Sequence, residues 1–375
     1  MNRNAAGDEI YIGLMSGTSL DGVDIAIVDF SGQQTNLIYS NTKPYQAELR
    51  SRIRDITLAS KVSLDQLYTL DNDLGKHYSE IVNQALADEA IDRSRITAIG
   101  CHGQTIRHRP DIASAYTAQI GDPNQLAART GITTIADFRR KDMAFGGQGA
   151  PLACAFHKAA FQTASEDRAV INIGGISNIT LLPSDSACPV TGFDTGPGNT
   201  LFDHWCSLHL GKPYDQGGEW ARSGQIIPSM LDDMLNGEAY FNRSLPKSTG
   251  TEHFNPEWMN RFLSGKHATQ DVQATLVELT ALTITDAFRK QARIPSSCFV
   301  CGGGAHNQFL MERLENALPG SRWHSTEKLG VDPDYVEAIA FAWLARERLN
   351  QRSGNLPEVT CARSHAVLGG CYDAG

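Results

Sequence analysis

The chain has 375 residues, of which 41% are hydrophobic and 20% are charged, and its formal net charge is −9. This length predicts two domains, and an acidic chain without a basic patch is not expected to bind nucleic acid or an anionic membrane surface. Met1–Asn4 lead into a strand-like run without a signal sequence, and no stretch approaches the roughly 18 apolar residues of a membrane span. We therefore expect a soluble, cytoplasmic protein with reduced cysteines.

The first predicted elements are two strands joined by a polar turn. Ile10–Ser16 is apolar, Gly17–Gly22 is rich in Gly, Ser and Thr, and Val23–Phe30 returns as an alternating strand. This pattern is typical of a β-hairpin. Leu37–Asn41 is a candidate for a third strand.

Helices and strands alternate over the following part of the chain. Ser63 and Gln66 form a capping box, which predicts a helix running towards Ala90. Three further elements are predicted: a strand at Ile96–Gly103, a helix capped by Asp122 and Pro123, and a strand at Ile132–Phe138. The alternation indicates an α/β protein.

The second half repeats the opening pattern. Ala169–Ile173 is apolar, Gly174 and Gly175 interrupt it, and Ile176–Leu182 returns as a strand. This likeness of pattern is only weak evidence for an internal duplication. Loops and short helices are predicted over 221–267, and the last strong elements are a helix over 269–292, a strand at 298–304, a helix from Asn307 and a helix at 333–349.

The common nucleotide-binding motifs are absent from this sequence. It contains no GxxxxGK[ST], and no GxGxxG follows a strand. Cys298 and Cys301 form a CxxC, but in a strand residues three apart point to opposite faces, and no second pair completes a set of four ligands. We therefore predict no metal site formed by protein ligands.

Three glycine-rich segments at strand ends are instead candidates for ligand binding. Ser16–Gly22 offers backbone amides and hydroxyl groups to an anion. Gly192–Asn199 places Asp194 next to a glycine turn that opens a helix, and Gly302–Asn307 places three glycines after an apolar strand. Each segment can also be an ordinary turn or helix cap.

Two polar segments, 101–110 and 136–142, also follow predicted strands. Dense charge at the carboxyl edge of a sheet is where α/β proteins hold ligands. Solvated loops would look the same, so both interpretations stay open at this point.

Long motifs over almost the whole chain resemble those of the anhydro-N-acetylmuramic acid kinases. They are IGLMSGTSLDGVD (12–24), CHGQTIRHRP (101–110), QIGDPNQLAARTGI (119–132), ADFRRKDMAFGGQGAPL (136–152), INIGGISNIT (171–180), GFDTGPGN (192–199), CGGGAHN (301–307) and GVDPDYVEAIAFAWLA (330–345). The resemblance implies two ribonuclease-H-like domains of the actin-like ATPase class, shared with hexokinase and heat-shock chaperones, with the active site in the cleft between them. We expect domains at 1–140 and 141–349, with 350–375 packing on either one.

The resemblance also implies a reaction in cell-wall (peptidoglycan) recycling that uses ATP and Mg²⁺. Water attacks C1 of 1,6-anhydro-N-acetylmuramic acid, the internal bridge opens, and O6 takes the γ-phosphoryl group, which gives N-acetylmuramic acid 6-phosphate and ADP. Asp194 is implied as the base that activates the water, as in an inverting glycosidase. Glu337 is implied to orient sugar or water, although a surface salt bridge would suit it nearly as well.

Binding roles follow from the same resemblance, as does a homodimer. The residues implied for ATP are Ser16, Gly17, Thr18, Ser19, Asp21, Gly22, Gly196, Gly198, Asn199, Gly302, Gly303, Gly304 and Asn307. The residues implied for the sugar and its lactyl carboxylate are His102, Gln104, Arg139 and Asp142, because an arginine binds a carboxylate through two hydrogen bonds.

Two other functions remain open at the level of sequence. One is a kinase of the same superfamily that phosphorylates an ordinary sugar hydroxyl without hydrolysis, in which Asp194 would deprotonate the attacking hydroxyl. The other is a nucleotide-binding switch resembling actin, because a fold alone does not determine a function.

Overall fold

The computed structural model describes residues 9–32 and 35–375, which form two compact units. The first unit consists of the chain up to Ala160 together with Tyr335–Gly375, and the second is Phe161–Asp334. The stretch Met1–Asn4, in which no signal sequence was recognised, lies outside the described residues.

The chain up to the first boundary contains six strands and five helices among its described residues. They are β1 (Ile10–Ser16), β2 (Gly22–Asp29), β3 (Asn36–Pro44), α1 (Ala47–Leu58), α2 (Leu64–Asp88), β4 (Ile96–Arg109), β5 (Tyr116–Ile120), α3 (Pro123–Thr130), β6 (Thr134–Ala136), α4 (Phe138–Ala144) and α5 (Ala153–Phe161). The predicted capping box of α2 is present, with Ser63 and Gln66 each bonding the other's backbone N–H.

The second unit contains five strands and six helices, and the chain then returns to the first unit. The second unit has β7 (Arg168–Ile173), β8 (Ile176–Leu182), β9 (Thr191–Pro197), α6 (Thr200–Leu210), α7 (Glu219–Arg222), α8 (Pro228–Gly237), α9 (Pro256–Asn260), α10 (Thr269–Arg289), β10 (Ser297–Cys301), α11 (Gln308–Ala317) and β11 (Arg322–Ser325). The returning segment has α12 (Val336–Leu349), α13 (Pro357–Thr360) and β12 (Gly370–Tyr372).

The two sheets share one strand order. In the first the order is β12-β6-β4-β1-β2-β3, with β5 paired to β4, and in the second it is β11-β10-β7-β8-β9. In each sheet the opening strand lies between an antiparallel hairpin partner and a later parallel strand. The prediction of two like α/β units is thereby confirmed, and the repeated hairpin pattern of the sequence corresponds to β1–β2 and β7–β8.

Close packing explains why α12 belongs to the first unit. A Cβ on Gly13 in β1 would lie 1.8 Å from the carbonyl oxygen of Ala338, and one on Gly100 in β4 would lie 2.0 Å from that of Phe341. Only glycine lets the helix backbone approach the strands this closely. Arg346 of α12 also pairs with Glu9 at 2.6 Å.

The unit boundaries differ from those expected from the sequence. We expected domains at 1–140 and 141–349, whereas the structure divides at 160/161 and 334/335. Residues 141–160 and the whole of α12 pack with the first unit, as does the segment 350–375. The glycines that fix α12 lie more than two hundred residues before it in the chain, so a local pattern does not reveal the contact.

The structure corrects what the sequence predicted for two polar segments. The segment 101–110 is not a loop after a strand, because β4 continues to Arg109 and pairs antiparallel with β5. The segment 136–142 ends the short β6 and then forms α4. Among the described residues no helix is long and apolar enough to cross a bilayer, and all eight cysteines are free.

Candidate active site

The turn between β1 and β2 presents small polar groups at its surface. Thr18 and Ser19 are exposed, and a Cβ added to Gly17 would meet no heavy atom closer than 3.7 Å. Asp21 is also exposed and pairs with Arg50 at 3.4 Å. The turn therefore offers accessible hydroxyls and backbone amides to an anion.

Hydrogen bonds from buried side chains support this turn on its interior side. The Ser16 hydroxyl donates to Gln104 Oε1 at 2.5 Å, and it lies 3.3 Å from the Gly22 carbonyl oxygen and 2.7 Å from the Tyr45 hydroxyl. Gln104 Nε2 donates to the carbonyl of Gly17 at 3.2 Å. Ser16 and Gln104 are both buried, so they support the turn rather than face solvent.

His102 and Arg139 form a second polar group in the first unit. Arg139 Nε donates to His102 Nε2 at 3.0 Å, and its Nη1 donates to the Gly149 carbonyl at 2.9 Å. Burial and the charge of Arg139 hold the pKa of His102 well below its usual value, so the imidazole is neutral and accepts this bond. Burial lowers the pKa of Arg139, against the opposing charges of Glu337 and Asp142.

Asp142 lies in a different environment from the one expected of a sugar ligand. Its Oδ1 accepts from Asn355 Nδ2 and Thr360 Oγ1, both at 2.7 Å, and its Oδ2 accepts from the Gly149 amide at 2.8 Å. The side chain is fully buried. These bonds make Asp142 an anchor between the loop after α4 and the C-terminal segment.

In the second unit, two of the three predicted glycine segments meet the tip of the β7–β8 hairpin. The amides of Gly198 and Asn199 donate to the carbonyls of Gly175 and Gly174 at 2.9 and 2.7 Å. Asn199 Nδ2 donates to the Ile173 carbonyl at 3.1 Å, whereas its buried Oδ1 has no partner in the described chain. A buried amide oxygen without a donor is unusual and indicates a place for a ligand or water.

The segment Gly302–Gly304 approaches the same tip. Gly302 has φ +75°, and a Cβ there would lie 2.9 Å from the Ile173 carbonyl oxygen. A Cβ on Gly303 would lie 3.2 Å from Asn199 Nδ2, and one on Gly304 would lie 2.5 Å from the Ile173 side chain. The β7–β8 hairpin tip and these two glycine segments thus form one closely packed cradle, in which a side chain at Gly302 or Gly304 would clash with Ile173.

The structure also shows the contacts of two other predicted binding residues, Gly196 and Asn307. Gly196 has φ +153°, and a Cβ there would lie 2.8 Å from the Phe241 ring. Asn307 caps α11, because its Oδ1 accepts from the Leu310 amide at 3.0 Å. Its amide oxygen is therefore used within the fold.

Asp194 lies on β9, and groups from the segment 240–249 hold it. Its Oδ2 accepts from the Thr249 amide at 3.0 Å, its amide donates to the Lys247 carbonyl at 3.3 Å, and its carbonyl accepts from the Tyr240 hydroxyl at 2.8 Å. Burial raises the pKa of Asp194 to about 6, against the lowering effects of the Thr249 amide and the Lys247 ammonium. In the described chain no donor contacts its other oxygen, Oδ1.

Sequence reasoning missed this supporting segment. Tyr240, Lys247 and Thr249 lie in the stretch read as loops and short helices. The methyl group of Thr251 also lies 3.4 Å from where a Gly175 Cβ would be, so the segment reaches from Asp194 to the hairpin tip. These contacts link residues about fifty positions apart, and no local motif marks them.

These features define an α/β protein of two like units, with a polar hairpin turn accessible to an anion in the first unit and a carboxylate of raised pKa in the second. The chain belongs to the anhydro-N-acetylmuramic acid kinase family, whose sequence profile matches residues 9–374. The resemblance seen in the sequence motifs is thereby confirmed.

Individual relatives are similar over nearly the whole chain. An anhydro-N-acetylmuramic acid kinase of Pasteurella multocida (strain Pm70) is 50% identical over 367 residues, which cover 96% of each chain. One of Hahella chejuensis (strain KCTC 2396) is 48% identical over 368 residues, covering 98% of this chain and 99% of the relative.

Solved structures are similar at much lower identity. A ROK family glucokinase from Streptomyces griseus, in complex with glucose and AMPPNP, is 11% identical with a TM-score of 0.40, covering 90% of this chain and 99% of that one. An activator of 2-hydroxyisocaproyl-CoA dehydratase from Clostridium difficile is 11% identical with a TM-score of 0.43, covering 91% and 96%.

Proposed function

We propose that this protein is an ATP-dependent kinase that opens 1,6-anhydro-N-acetylmuramic acid with water and phosphorylates its O6. The products are N-acetylmuramic acid 6-phosphate and ADP, and the reaction serves peptidoglycan recycling. The proposal is supported by the family, in which relatives 50% and 48% identical over nearly the full chain carry this name. The structural observation that supports this proposal most directly is the set of contacts made by Asp194.

A base for water attack must be ionised, oriented and have a free oxygen. The Thr249 amide orients the Asp194 carboxylate through Oδ2, which leaves Oδ1 to receive a proton from water. A carboxylate whose pKa is about 6 is a stronger base than an ordinary aspartate and is still mostly ionised at neutral pH. This combination supports a general base.

The proposed reaction balances with this single base. Water oxygen bonds to C1 while the C1–O6 bond breaks, and the water proton passes to Asp194 Oδ1. The departing O6 forms its new bond to the γ-phosphorus of ATP while the bond from that phosphorus to the β,γ-bridging oxygen breaks and ADP leaves, so a separate acid is not needed to protonate O6. The proton on Asp194 is then released to solvent.

The residues present fit a nucleotide. ATP supplies the γ-phosphoryl group that O6 accepts. Exposed Thr18 and Ser19, with the amides of Gly17–Gly22, would hold phosphate oxygens. The cradle that contains Gly302, Gly303 and the unpaired Asn199 Oδ1 would hold the adenosine, because glycine backbone allows a ligand to approach closely and the amide oxygen is a free acceptor for a purine amino group.

Mg²⁺ would be bound chiefly by the phosphates. Among the described residues no group of three or more His, Cys, Asp or Glu side chains could hold a metal ion. Magnesium in kinases commonly keeps several waters and bridges phosphate oxygens. It would arrive bound to the nucleotide.

Arg139 is the residue we propose for the lactyl carboxylate of the sugar. His102 and the Gly149 carbonyl hold its Nε and Nη1, and its Nη2 has no partner in the described chain. The guanidinium is therefore fixed with one donor group remaining, which suits a carboxylate. The charge of Glu337 favours the protonated form of Arg139. We propose that Glu337 orients the sugar or the water.

His102, Gln104 and Asp142 then act indirectly. His102 orients Arg139, Gln104 supports the β1–β2 turn, and Asp142 anchors the loop that includes Gly149. We also propose a cytoplasmic homodimer, supported by the family resemblance and by the need for ATP. Sedimentation should give twice the chain mass of 40.8 kDa.

A direct assay tests the function. The protein is incubated with Mg-ATP and either the anhydro sugar or ordinary N-acetylmuramic acid, and ADP and sugar phosphate are measured by ³¹P NMR and mass spectrometry. We expect equal amounts of ADP and a sugar phosphate that has gained one water, from the anhydro sugar only. Asp194→Asn should abolish this product, while Asp233→Asn, an exposed carboxylate of the same unit, should not. Efficient phosphorylation of the ordinary sugar with none of the anhydro sugar would contradict the proposal.

A further inference from the structure

A cavity of about 230 Å³ lies in the second unit on the Thr195 side of β9. Neighbouring strand residues point to opposite faces, so this cavity does not lie on the face that carries the Asp194 side chain. Its walls come from β9, α8, the turn 239–242 and the end of α10. The volume is well above the roughly 10–15 Å³ that holds one water. The cavity is therefore large enough for a hydrated small ion.

Lys247 lines this cavity with a largely buried ammonium, on which the opposite charge of Asp194 acts from beyond ion-pair distance. Its side chain is only 9% exposed. The ammonium lies 4.8 Å from the ring centroid of Tyr240 and 5.8 Å from that of Phe193, and in the described chain no carboxylate lies within ion-pair distance. Aromatic faces attract a cation only modestly, and a buried charge normally requires an oppositely charged partner.

Lys290 lines the same cavity and forms no ion pair with any of the described residues. Its ammonium donates to the Phe241 carbonyl at 2.9 Å and to Asn242 Oδ1 at 3.0 Å, which are neutral acceptors. Repulsion from Lys290 is one cause, after burial, that lowers the pKa of Lys247 to about 8. Two ammonium groups that face one cavity and repel each other would be stabilised by an anion between them.

The two acidic residues of the cavity do not supply that anion. Asp286 is already hydrogen-bonded to Arg289, and Asp232 lies exposed on α8. Neither pairs with a lysine of the cavity. The lining thus holds two carboxylates and two ammonium groups, and neither ammonium group has an ion pair in the described chain.

We propose that this cavity is a binding site for a phosphate oxyanion, held between Lys247 and Lys290. The oxyanion is either inorganic phosphate or the phosphate group of a sugar ester. Phosphate offers oxygens to both ammonium groups, and charge-assisted hydrogen bonds of this kind are stronger than those between neutral groups. The cavity lining includes no residue of the two hairpin tips, but the site shares Lys247 with the surroundings of Asp194.

Calorimetric titration with inorganic phosphate, and separately with glucose 6-phosphate, tests the site, with chloride at matched ionic strength as the baseline. We expect saturable binding of at least one of the two above the chloride baseline, and the tighter one identifies the source. Lys247→Met should weaken it about 10–100-fold, as expected when a charged hydrogen-bond partner is lost. Lys290→Met should weaken it less, because Lys290 is more exposed.

Matched variants separate this site from other phosphate sites. Lys212→Met removes an exposed lysine of the same unit and should leave binding unchanged. Lys247→Met should unfold at the same temperature as the wild type or higher without phosphate, because it removes a buried charge that has no ion pair or hydrogen bond in the described chain. Binding that survives in both Lys247→Met and Lys290→Met, or no binding above the chloride baseline, would overturn the proposal.

Discussion

Replacing Asp194 by Asn should remove activity and increase stability at the same time. The amide has nearly the shape of the carboxylate, and its oxygen can still accept from the Thr249 amide. It cannot accept a proton from water or carry charge. Loss of a general base typically costs about 10²–10⁴-fold in rate.

The gain in stability follows from the pKa of Asp194. Burial raises this pKa from 3.8 to about 6, so the folded protein resists ionisation of the carboxyl. The neutral Asp194 carboxyl makes its full contribution to the free energy of unfolding below pH 3.8, which is near its pKa in the unfolded chain. This contribution is lost as the pH rises through about 6, where the folded protein must ionise the group. Two pH units correspond to at most about 3 kcal/mol, and because Asp194 is partly exposed we expect about 1–2 kcal/mol.

The assay compares the two proteins by denaturant unfolding at pH 8 and at pH 4. At pH 8 the Asn variant, which never ionises, should be more stable than the wild type, and at pH 4 the difference should largely disappear. Asp233→Asn is the control, because that carboxylate is exposed. If the Asn variant is equally stable or less stable at pH 8, the carboxylate is not held in the environment described here.

The remaining predictions concern the pH dependence, the sugar site, the nucleotide cradle and a structural anchor. The rate at low substrate concentration should fall about tenfold per pH unit below pH 6, because Asp194 takes up a proton there. A rate that begins to fall only near pH 4 would contradict the assigned pKa. Arg139→Lys should raise KM for the anhydro sugar about 10–100-fold, because lysine lacks the planar fork; an unchanged KM would place the carboxylate elsewhere. Gly303→Ala should raise KM for ATP, because its Cβ would lie 3.2 Å from Asn199 Nδ2, whereas Gly320→Ala meets open space and should have no effect. Asp142→Ala should lower the free energy of unfolding by about 2–4 kcal/mol, because three buried donors lose their acceptor, and a loss of activity at full stability would instead assign it to the substrate.

Local patterns in the sequence were sufficient to predict most hairpins and helix starts. The β1–β2 and β7–β8 hairpins, the capping box at Ser63 and the helix capped by Asn307 are present as expected. In each case the signal lies within a few neighbouring residues, through alternation of apolar side chains or through a capping side chain. These elements also carry the glycine segments of the candidate site.

Features that depend on distant partners were not predictable in this way. The charged end of β4 looks like a loop, but β5 pairs with it and satisfies its backbone. Gln104 looks like a ligand residue, but Ser16 and the Gly17 carbonyl use its amide. Whether a polar side chain faces a ligand or a neighbouring loop depends on contacts made far along the chain.

Isotope labelling during turnover tests the central claim most directly. The reaction is run in ¹⁸O-water with Mg-ATP and the anhydro sugar, and the sugar phosphate is analysed at once by mass spectrometry with fragmentation. If Asp194 activates water against C1, one ¹⁸O atom appears at C1 and none appears at O6 or in the transferred phosphoryl group. A phosphorylated sugar without label at C1, formed at full rate, would contradict the account.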